Sequence, residues 1–367
     1  MRTHRAPVAE RYVPTAGVPA LTGLRAVAAY LVFVHHYNGA TPGSVAHRLL
    51  AQGYVGVSIF FVLSGFLIYH RYAERYVARI GWSGRHYLQN RFARIFPLYV
   101  VGLLLTVAVN YGLGRGMGWP VFWLNLTLLK GVFDDYKFTG IPQSWSLTTE
   151  VCFYVLAPRL FGPLRRWGVL PLAVGLTTVG LLLWAMVGRD NPFGGSAHGL
   201  FGSLPFVWFY TFFGRAFEFV VGMELARRWH AGRLPQTRWA TAGGLALMGL
   251  SIGWQTYLTG RPVDANGQLW SEVITYNYVL PIGVAGLLLG LIRERSLLRS
   301  LLAHPVAQAL GQSSYAFYLI HVGVIAKVLE RIATGSNDWL LFGLLVLLAY
   351  GLYRFVEKPL HQWLRPR

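Results

Sequence analysis

The chain has 367 residues, of which 54% are hydrophobic and 13% are charged, and its mean hydropathy is +0.43. This composition is too apolar for a soluble domain of this length. The formal net charge of +19 could suit a nucleic-acid partner, but the basic residues lie in short loops between apolar runs, which is the pattern that orients a membrane protein. We therefore expect no nucleic acid as a partner. The single cysteine, Cys152, excludes an intramolecular disulfide and a cysteine metal cluster.

Long uncharged runs predict an all-α fold, a polytopic membrane helical bundle. Four runs, 95–114, 167–188, 239–260 and 273–292, each hold at least 20 residues without Asp, Glu, Lys or Arg. About 20 such residues cross a bilayer as a helix. With the shorter apolar segments, the sequence predicts about ten transmembrane helices, at 21–38, 53–70, 93–112, 146–163, 168–188, 204–226, 239–258, 274–292, 313–331 and 338–354.

One further apolar segment, 119–133, is short and contains Lys130. If it crossed the membrane, every later loop would change sides, and the arginine-rich loops after the later spans would face outward. The positive-inside rule therefore predicts that 119–133 is a re-entrant or interfacial segment and that both termini lie in the cytoplasm. We expect a multi-pass protein of the cell inner membrane. The basic segments that support this orientation are 71–94, 165–166, 227–228, 293–295 and 354–367.

The sequence predicts one domain. Residues 1–20 are polar and basic, which predicts a cytoplasmic N-terminal segment and no cleavable signal peptide. Residues 21–363 form the predicted transmembrane domain, and no appended soluble domain is expected. The stretches 189–203 and 258–273 are the predicted external loops, since glycine and proline are typical of turns.

The first span carries ionisable residues that a membrane interior tolerates poorly. Arg25 and His36 are 11 residues apart, which separates them by roughly 16 Å along a helix and places them on nearly one face. His35 points about 100° away from His36. The simplest structural interpretation is an arginine that reaches the interface and histidines bonded to neighbouring helices. Intramembrane ionisable groups are nevertheless functional candidates by default.

Other spans carry further polar residues. "RFARIFPLY" places Arg91 and Arg94 on one helix face, and "SWSLTTEVCFY" places Glu150 near the start of a span, where an acid could simply complement the helix dipole. In "GRAFEFVVGMELA", Arg215 and Glu218 predict an internal ion pair. "SSYAFYLIH" has polar residues at spacings of three and four, which could be only a polar seam between helices: Ser314, Tyr315, Tyr318 and His321.

Together these motifs resemble the acyltransferase-3 family of integral membrane O-acyltransferases. The family pattern of a basic residue, ten intervening residues and a histidine is met by Arg25 and His36, and not by His35. The resemblance runs from about residue 20 to 363. It also rests on "GVSIFFVLSGFLI", the Arg-x-x-Arg of "RFARIFPLY", the glutamate of "SWSLTTE", "SYAFYLIH" and "FVEKPLHQW".

The resemblance implies transfer of a short acyl group, typically acetyl, from cytosolic acyl-coenzyme A to a carbohydrate hydroxyl. A neutral imidazole can accept the hydroxyl proton, which makes His36 the candidate base, and a carboxylate can orient the imidazole, which makes Glu150 its candidate partner. The donor phosphates suit arginine forks, and no metal is expected. The remaining candidates for the two ends of the site are Arg25, Arg91 and Arg94 for acyl-coenzyme A and Ser146, Tyr315, Tyr318 and His321 for the substrate or tunnel lining.

The sequence leaves alternatives open. Polar residues in mid-membrane and half-crossing segments also occur in secondary transporters, although a transporter does not require the Arg25–His36 spacing. A transmembrane relay that hands the acyl group to a partner protein is a third interpretation. Direct transfer is favoured over an acyl-enzyme, because a lone cysteine such as Cys152 is usually a small core residue. The acceptor, the acyl length and the oligomeric state are not determined by the sequence.

Overall fold

The computed structural model describes residues 18–78, 81–188, 199–261, 264–335 and 337–364. These residues form helices joined by short connections, with no strand among them and one antiparallel bridge between Phe133 and Leu200. The predicted all-α membrane bundle is confirmed. Residues 1–17 of the predicted N-terminal segment lie outside the described part, and so do residues 189–198 of the first predicted external loop.

The chain folds into eighteen α-helical segments within the described ranges. Three of them continue without a break into π-helical turns at Val273–Val279, Glu330–Thr334 and Tyr353–Glu357. In chain order the helices are α1 Pro19–His36, α2 Val45–Ala51, α3 Val55–Ala78, α4 Gly84–Gly112, α5 Trp119–Leu126, α6 Trp145–Trp167, α7 Val169–Val187, α8 Leu204–Tyr210, α9 Ala216–His230, α10 Ala240–Leu258, α11 Ala265–Glu272, α12 Leu280–Arg293, α13 Leu297–Ala303, α14 Pro305–Gln312, α15 Ser314–Ile320, α16 Val324–Leu329, α17 Asp338–Leu352 and α18 Lys358–Leu364.

Five helices of the described part are long and apolar enough to cross a membrane. The protein is therefore a multi-pass membrane protein, whereas the predicted count of about ten spans is not confirmed. Burial separates the centre of the bundle from its edge, because 78% of the best apolar window in Val45–Ala78 is buried but only 17% of that in Asp338–Leu364. The five helices are Val45–Ala78, Gly84–Gly112, Val169–Val187, Ala265–Arg293 and Asp338–Leu364.

The central helix α3 contacts α9 at very short range. A side-chain carbon added at Gly65 would collide with the backbone carbonyl oxygen of Phe219, and one added at Gly222 would collide with that of Val62. Small residues at reciprocal positions let two membrane helices approach closely, where van der Waals packing replaces the hydrophobic effect. Gly56 of α3 contacts the carbonyl oxygen of Ala28 on α1 in the same way, so α1 is held firmly against the centre of the bundle.

Two of the predicted spans are broken helices. The predicted span 204–226 contains α8 and α9, with the non-helical residues Thr211–Arg215 between them. The predicted span 313–331 contains α15 and α16, which are separated at 321–323, where Gly323 has a φ of +98°. Such breaks leave carbonyl groups without helical partners, and these groups must be satisfied inside the protein.

Buried amide side chains supply those partners. Asn277 Nδ2 donates to the carbonyl oxygens of Trp208 at 2.8 Å and Gly214 at 3.1 Å, on the two sides of the first break. Gln143 Nε2 lies within 3.3 Å of three carbonyl oxygens at the second break, those of Tyr318, Leu319 and Val322.

The segment 119–133 does not form a spanning helix. Its helix α5 has 8 residues and is about 12 Å long, whereas the hydrocarbon core of a bilayer is about 30 Å thick. The fully buried Lys130 donates from Nζ to the carbonyl oxygens of Thr139 and Ile141, the latter at 2.8 Å. The lysine thereby fixes the chain that returns to the start of α6.

We predict that reporter fusions after Lys137 and after Arg166 will lie on opposite sides of the membrane. We expect the segment 119–133 to return to the side it came from, so that the 23-residue helix α6 is the next crossing. The measurement is the activity of paired cytoplasmic and external reporters at each point. Both points on the same side would contradict the orientation of α6.

We predict that Gln143→Leu will lower the free energy of unfolding by about 1–3 kcal/mol, because buried carbonyl oxygens at the second break lose a donor. The measurement is thermal denaturation of the purified protein in detergent. Gln312→Leu is the matched control, since Gln312 is exposed and its side chain bonds, among the described residues, to the Tyr353 hydroxyl alone. An equal melting temperature for both variants would contradict this role of Gln143.

Candidate active site

A narrow cavity of about 80 Å³ lies between α1, α3, α4, α6 and α15. The sequence-predicted site residues converge here from helices that are far apart in the chain, with the exception of His36 and His321. We call it the inner cavity. Its polar lining consists of Arg25, Ser64, Arg91, Arg94, Ser146, Glu150, Tyr154, Tyr315 and Tyr318.

The inner cavity carries an excess of positive charge. Arg91 is 7% exposed, donates from Nη2 to the Tyr72 hydroxyl at 3.0 Å and lies 5.8 Å from the centre of the Tyr154 ring. None of the ion pairs among the described residues involves Arg91, Arg25 or Arg94. Three guanidinium groups thus surround a space that contains one carboxylate, an arrangement suited to a phosphate-bearing ligand.

Glu150 is the one acidic residue in the inner cavity. Its Oε1 accepts hydrogen bonds from Ser64 Oγ at 3.0 Å and from the Tyr154 hydroxyl at 2.5 Å. The expected hydrogen bond between Glu150 and His36 is not formed within the described structure, because His36 lines a different cavity. The carboxylate is fixed by neighbours on α3 and α6 and faces the arginines.

A wider cavity of about 440 Å³ adjoins the inner one. Val57 and Tyr318 line both, so the two spaces meet at these residues. We call the wider space the outer cavity. Its other lining residues are Val32, His35, His36, Ala51, Gln52, Tyr54, Phe138, Pro142, Gln143, Trp145, Phe209, Tyr210, Arg215, Thr259, Glu272 and Val322.

The two adjacent histidines have different surroundings. His35 Nδ1 lies 2.5 Å from the carbonyl oxygen of Ala51 and donates to it, which fixes this imidazole to the backbone. His36 is the last residue of α1 and is exposed, and its side chain has no hydrogen-bond partner in the described ranges. Its ring centre lies 5.4 Å from that of His321. Both histidines line the outer cavity, and His36 is the one whose ring forms no hydrogen bond with a described residue.

His321 is fully buried beside His36 and lines neither cavity. Its Nδ1 lies 2.8 Å from the carbonyl oxygen of Tyr318, to which only a protonated Nδ1 can donate. The Nε2 atom is then an acceptor, and it has no partner among the described atoms. The helix break at 321–323 creates this position, since it ends α15 at the point where the ring meets α1.

Tyr318 marks the junction between the two cavities. Its hydroxyl lies 2.8 Å from Ser146 Oγ and 3.2 Å from the carbonyl oxygen of Gln143. Tyr315, one turn earlier, donates to the carbonyl oxygen of Ile95 at 2.7 Å. The hydroxyl pair of Tyr318 and Ser146 is thus a polar feature where the two cavities meet, while the Tyr315 hydroxyl is used to fix α15 against α4.

Sequence reasoning missed several residues of the site. Ser64 lies in the motif "FVLSGFLI", and Tyr154 follows Glu150 by four residues, a spacing that places both on one helix face. These two could have been found from the motifs. Gln143 and Glu272 line the outer cavity without any local signal in the sequence.

The predicted Arg215–Glu218 ion pair is confirmed, with Nη2 and Oε1 2.9 Å apart.

Comparison with known proteins gives a consistent result. A family model described as an acyltransferase domain matches residues 18–353. The chain is 27% identical to an acyltransferase, MdmB, of Streptomyces mycarofaciens over 342 residues, which cover 84% of this chain and 79% of that protein. It is 28% identical to the exopolysaccharide production protein ExoZ of Rhizobium meliloti over 326 residues, 84% of this chain and 89% of that protein.

A third relative is longer than this chain. The chain is 25% identical to the peptidoglycan O-acetyltransferase OatA of Listeria monocytogenes over 376 aligned residues, which cover 94% of this chain but only 56% of that protein. No solved structure matches the chain. The family model matches residues 18–353, nearly the whole chain, and this range contains every lining residue of both cavities. The protein therefore belongs to the acyltransferase-3 family of integral membrane O-acyltransferases.

Proposed function

We propose that this protein transfers an acetyl group from cytosolic acetyl-coenzyme A to a hydroxyl of a carbohydrate across the thickness of the membrane. The observation that carries the proposal is the alignment along α1, where Arg25 lines the arginine-rich inner cavity and His36 lines the outer one. The names of two relatives, a peptidoglycan O-acetyltransferase and an exopolysaccharide production protein, support a carbohydrate acceptor.

The inner cavity is the proposed donor site. Arginine forks bind phosphate oxygens in pairs, so Arg25, Arg91 and Arg94 would hold the phosphates of coenzyme A at the cytoplasmic end. A space of about 80 Å³ admits a slender chain and not a sugar ring. The separation of about 16 Å between Arg25 and His36 along the helix is comparable with the length of an extended pantetheine arm. The thioester would therefore reach Tyr318.

The proposed reaction is direct transfer in a complex of both substrates. The acceptor hydroxyl oxygen attacks the thioester carbonyl carbon, a carbon–oxygen bond forms, and the carbon–sulfur bond breaks. His36 accepts the hydroxyl proton, and the departing thiolate of coenzyme A takes up a proton in turn. The hydroxyls of Tyr318 and Ser146 bond to each other and to the Gln143 carbonyl oxygen, and one of them would turn its proton to the thioester carbonyl oxygen as that oxygen becomes negative.

The position of Cys152 favours direct transfer over a covalent intermediate. Cys152 lies on α6 and lines neither cavity, so it is poorly placed to receive the acyl group. Glu150 faces the arginines, so we assign it an assisting role through its charge instead of a hydrogen bond to His36. Its carboxylate would offset part of the positive charge in the donor site and stabilise the imidazolium that forms.

We predict that Arg94→Ala and Arg91→Ala will weaken acetyl-coenzyme A binding roughly 10- to 150-fold, because each loses a charge-assisted contact of about 1.5–3 kcal/mol. The turnover number at saturating donor should change much less. The measurement is donor binding by calorimetry and the transfer rate at high donor concentration. Arg159→Ala is the control, since Arg159 is exposed and lines neither cavity. Unchanged donor affinity in both variants would contradict the phosphate assignment.

The function itself is tested by transfer of radiolabelled acetyl from acetyl-coenzyme A to peptidoglycan and exopolysaccharide fractions. We predict that His36→Ala binds the donor normally but loses roughly 100-fold or more in turnover, the usual contribution of a positioned base. His35→Ala should lose far less, because its imidazole bonds to the Ala51 carbonyl oxygen. Near-normal turnover of a folded His36→Ala variant would contradict its role.

The same assay tests whether Glu150 and His36 act together. Glu150→Gln should also reduce turnover. If the two residues act as a unit, the double variant will be little slower than either single one. Multiplicative losses would assign Glu150 to the donor site alone.

A further inference from the structure

We propose that the outer cavity is the acceptor site for an uncharged pyranose ring and that Glu272 makes it exclude sugars that carry a carboxylate. This inference rests on the proposed function, since it names the class of acceptor that would meet His36. It is carried by the size of the outer cavity, by its aromatic walls and by the charges on its lining.

The size of the cavity suits a sugar. Its volume of about 440 Å³ falls within the range of about 300–1,000 Å³ that is usual for ligand sites. The inner cavity, at about 80 Å³, falls well below that range. Of these two connected spaces, only the outer one can hold a pyranose ring, and His36 lies in its wall.

The walls are aromatic and stand at angles to one another. The rings of Trp145 and Tyr210 have centres 4.8 Å apart and planes at 73°, and Phe138 meets Tyr210 at 84°. A pyranose has a face of C–H groups that packs on the electron-rich face of an aromatic ring, and its hydroxyls project sideways. Two perpendicular walls would therefore fix both the face and the edge of one ring.

Polar groups among these walls can bind hydroxyls. Gln143 is 4% exposed, and its Oε1 has no partner among the described atoms, while its Nε2 is used at the helix break. A buried acceptor without a partner is costly, and a sugar hydroxyl would satisfy it. Because Gln143 and His36 line the same space, a sugar bonded to the amide would lie within the cavity that holds the base.

The charges on the lining favour an uncharged sugar. Arg215 is neutralised by Glu218, with contacts of 2.9 Å, and also donates to Ser58 Oγ at 3.1 Å. Glu272 is the other charged residue of the lining. It accepts a hydrogen bond from Gln268 Nε2 at 2.6 Å and forms no ion pair with a described cation.

Lys137, a cation next to the lining, does not alter this balance. Lys137 lies behind the aromatic wall, with Nζ 5.4 Å from the centre of the Tyr210 ring, and it is paired with Asp134. The described lining therefore carries one uncompensated negative charge. Juxtaposed like charges are strongly unfavourable at an interface, so a carboxylated sugar would be rejected while its neutral counterpart would be accepted.

The test measures binding in a way that does not depend on catalysis. In a Cys152→Ser background, Thr259→Cys places a single thiol at an exposed position of the outer cavity lining, where a maleimide can react with it. The probes are methyl β-D-glucoside and methyl β-D-glucuronide, which differ only at C6, where the glucuronide has a carboxylate in place of the hydroxymethyl group. We expect the glucoside to slow the labelling at concentrations roughly tenfold or more below those at which the glucuronide does.

Glu272→Gln should make the glucoside and the glucuronide slow the labelling at similar concentrations. Glu330 is a carboxylate outside both cavities, so Glu330→Gln is the control and should leave the two concentrations different. Equal protection by both sugars in the unmodified cavity would overturn the charge discrimination. No protection by either would overturn the acceptor site. If neither sugar protects the thiol but acetyl-coenzyme A still stabilises the protein against heat, the donor site of the proposed function stands while this inference fails. If a sugar protects the thiol but acetyl-coenzyme A does not stabilise the protein, the acceptor site stands while the proposed donor site fails.

Discussion

Two buried amides make a site possible inside this bundle. A helix that breaks within a membrane exposes carbonyl groups that no water can satisfy, yet the outer cavity exists because α8–α9 and α15–α16 are both broken. Asn277 bonds to carbonyl oxygens on the two sides of the first break, and Gln143 to those of the second. Without these donors, the carbonyl oxygens at both breaks would lose their side-chain partners, which would destabilise the broken conformation.

The two cavities meet at Val57 and Tyr318, and the same constraint explains the position of Tyr318. The break at 321–323 ends α15 just after Tyr318, so its hydroxyl stands between the arginines on one side and His36 on the other. Close glycine contacts, as between Gly56 and the Ala28 carbonyl oxygen, hold α1 rigidly against α3. Under the proposed function, a rigid α1 would keep the donor-binding end at Arg25 and the reactive end at His36 at a constant separation, which a flexible loop could not do.

Much of the inner cavity could be predicted from the sequence, because costly residues in apolar helices have few explanations. Arg25, Arg91, Arg94 and Glu150 were found in this way, and the structure brings them together. The contact of Glu150 with His36 was not formed, since spacing along a helix does not reveal the depth at which separate helices cross. The broken helices were missed because hydropathy averages over a window, and the amides that stabilise them lie far away in the chain.

The described linings of the two cavities carry charges of opposite sign, an excess of arginines in the inner cavity and an unpaired carboxylate in the outer one. Under the proposed function, a donor with several phosphates would be attracted to the three arginines of the inner cavity, whereas the outer cavity would offer it no free cation in the described lining and one carboxylate, Glu272. The inner cavity, at about 80 Å³, would admit a slender thioester arm but not the bulky nucleotide. Charge would then select what enters each end, and the size of the inner cavity would let only the reacting ends of donor and acceptor meet. The proposed chemistry and the two cavities thus agree on one restriction: acyl groups would cross while coenzyme A stays on the arginine side.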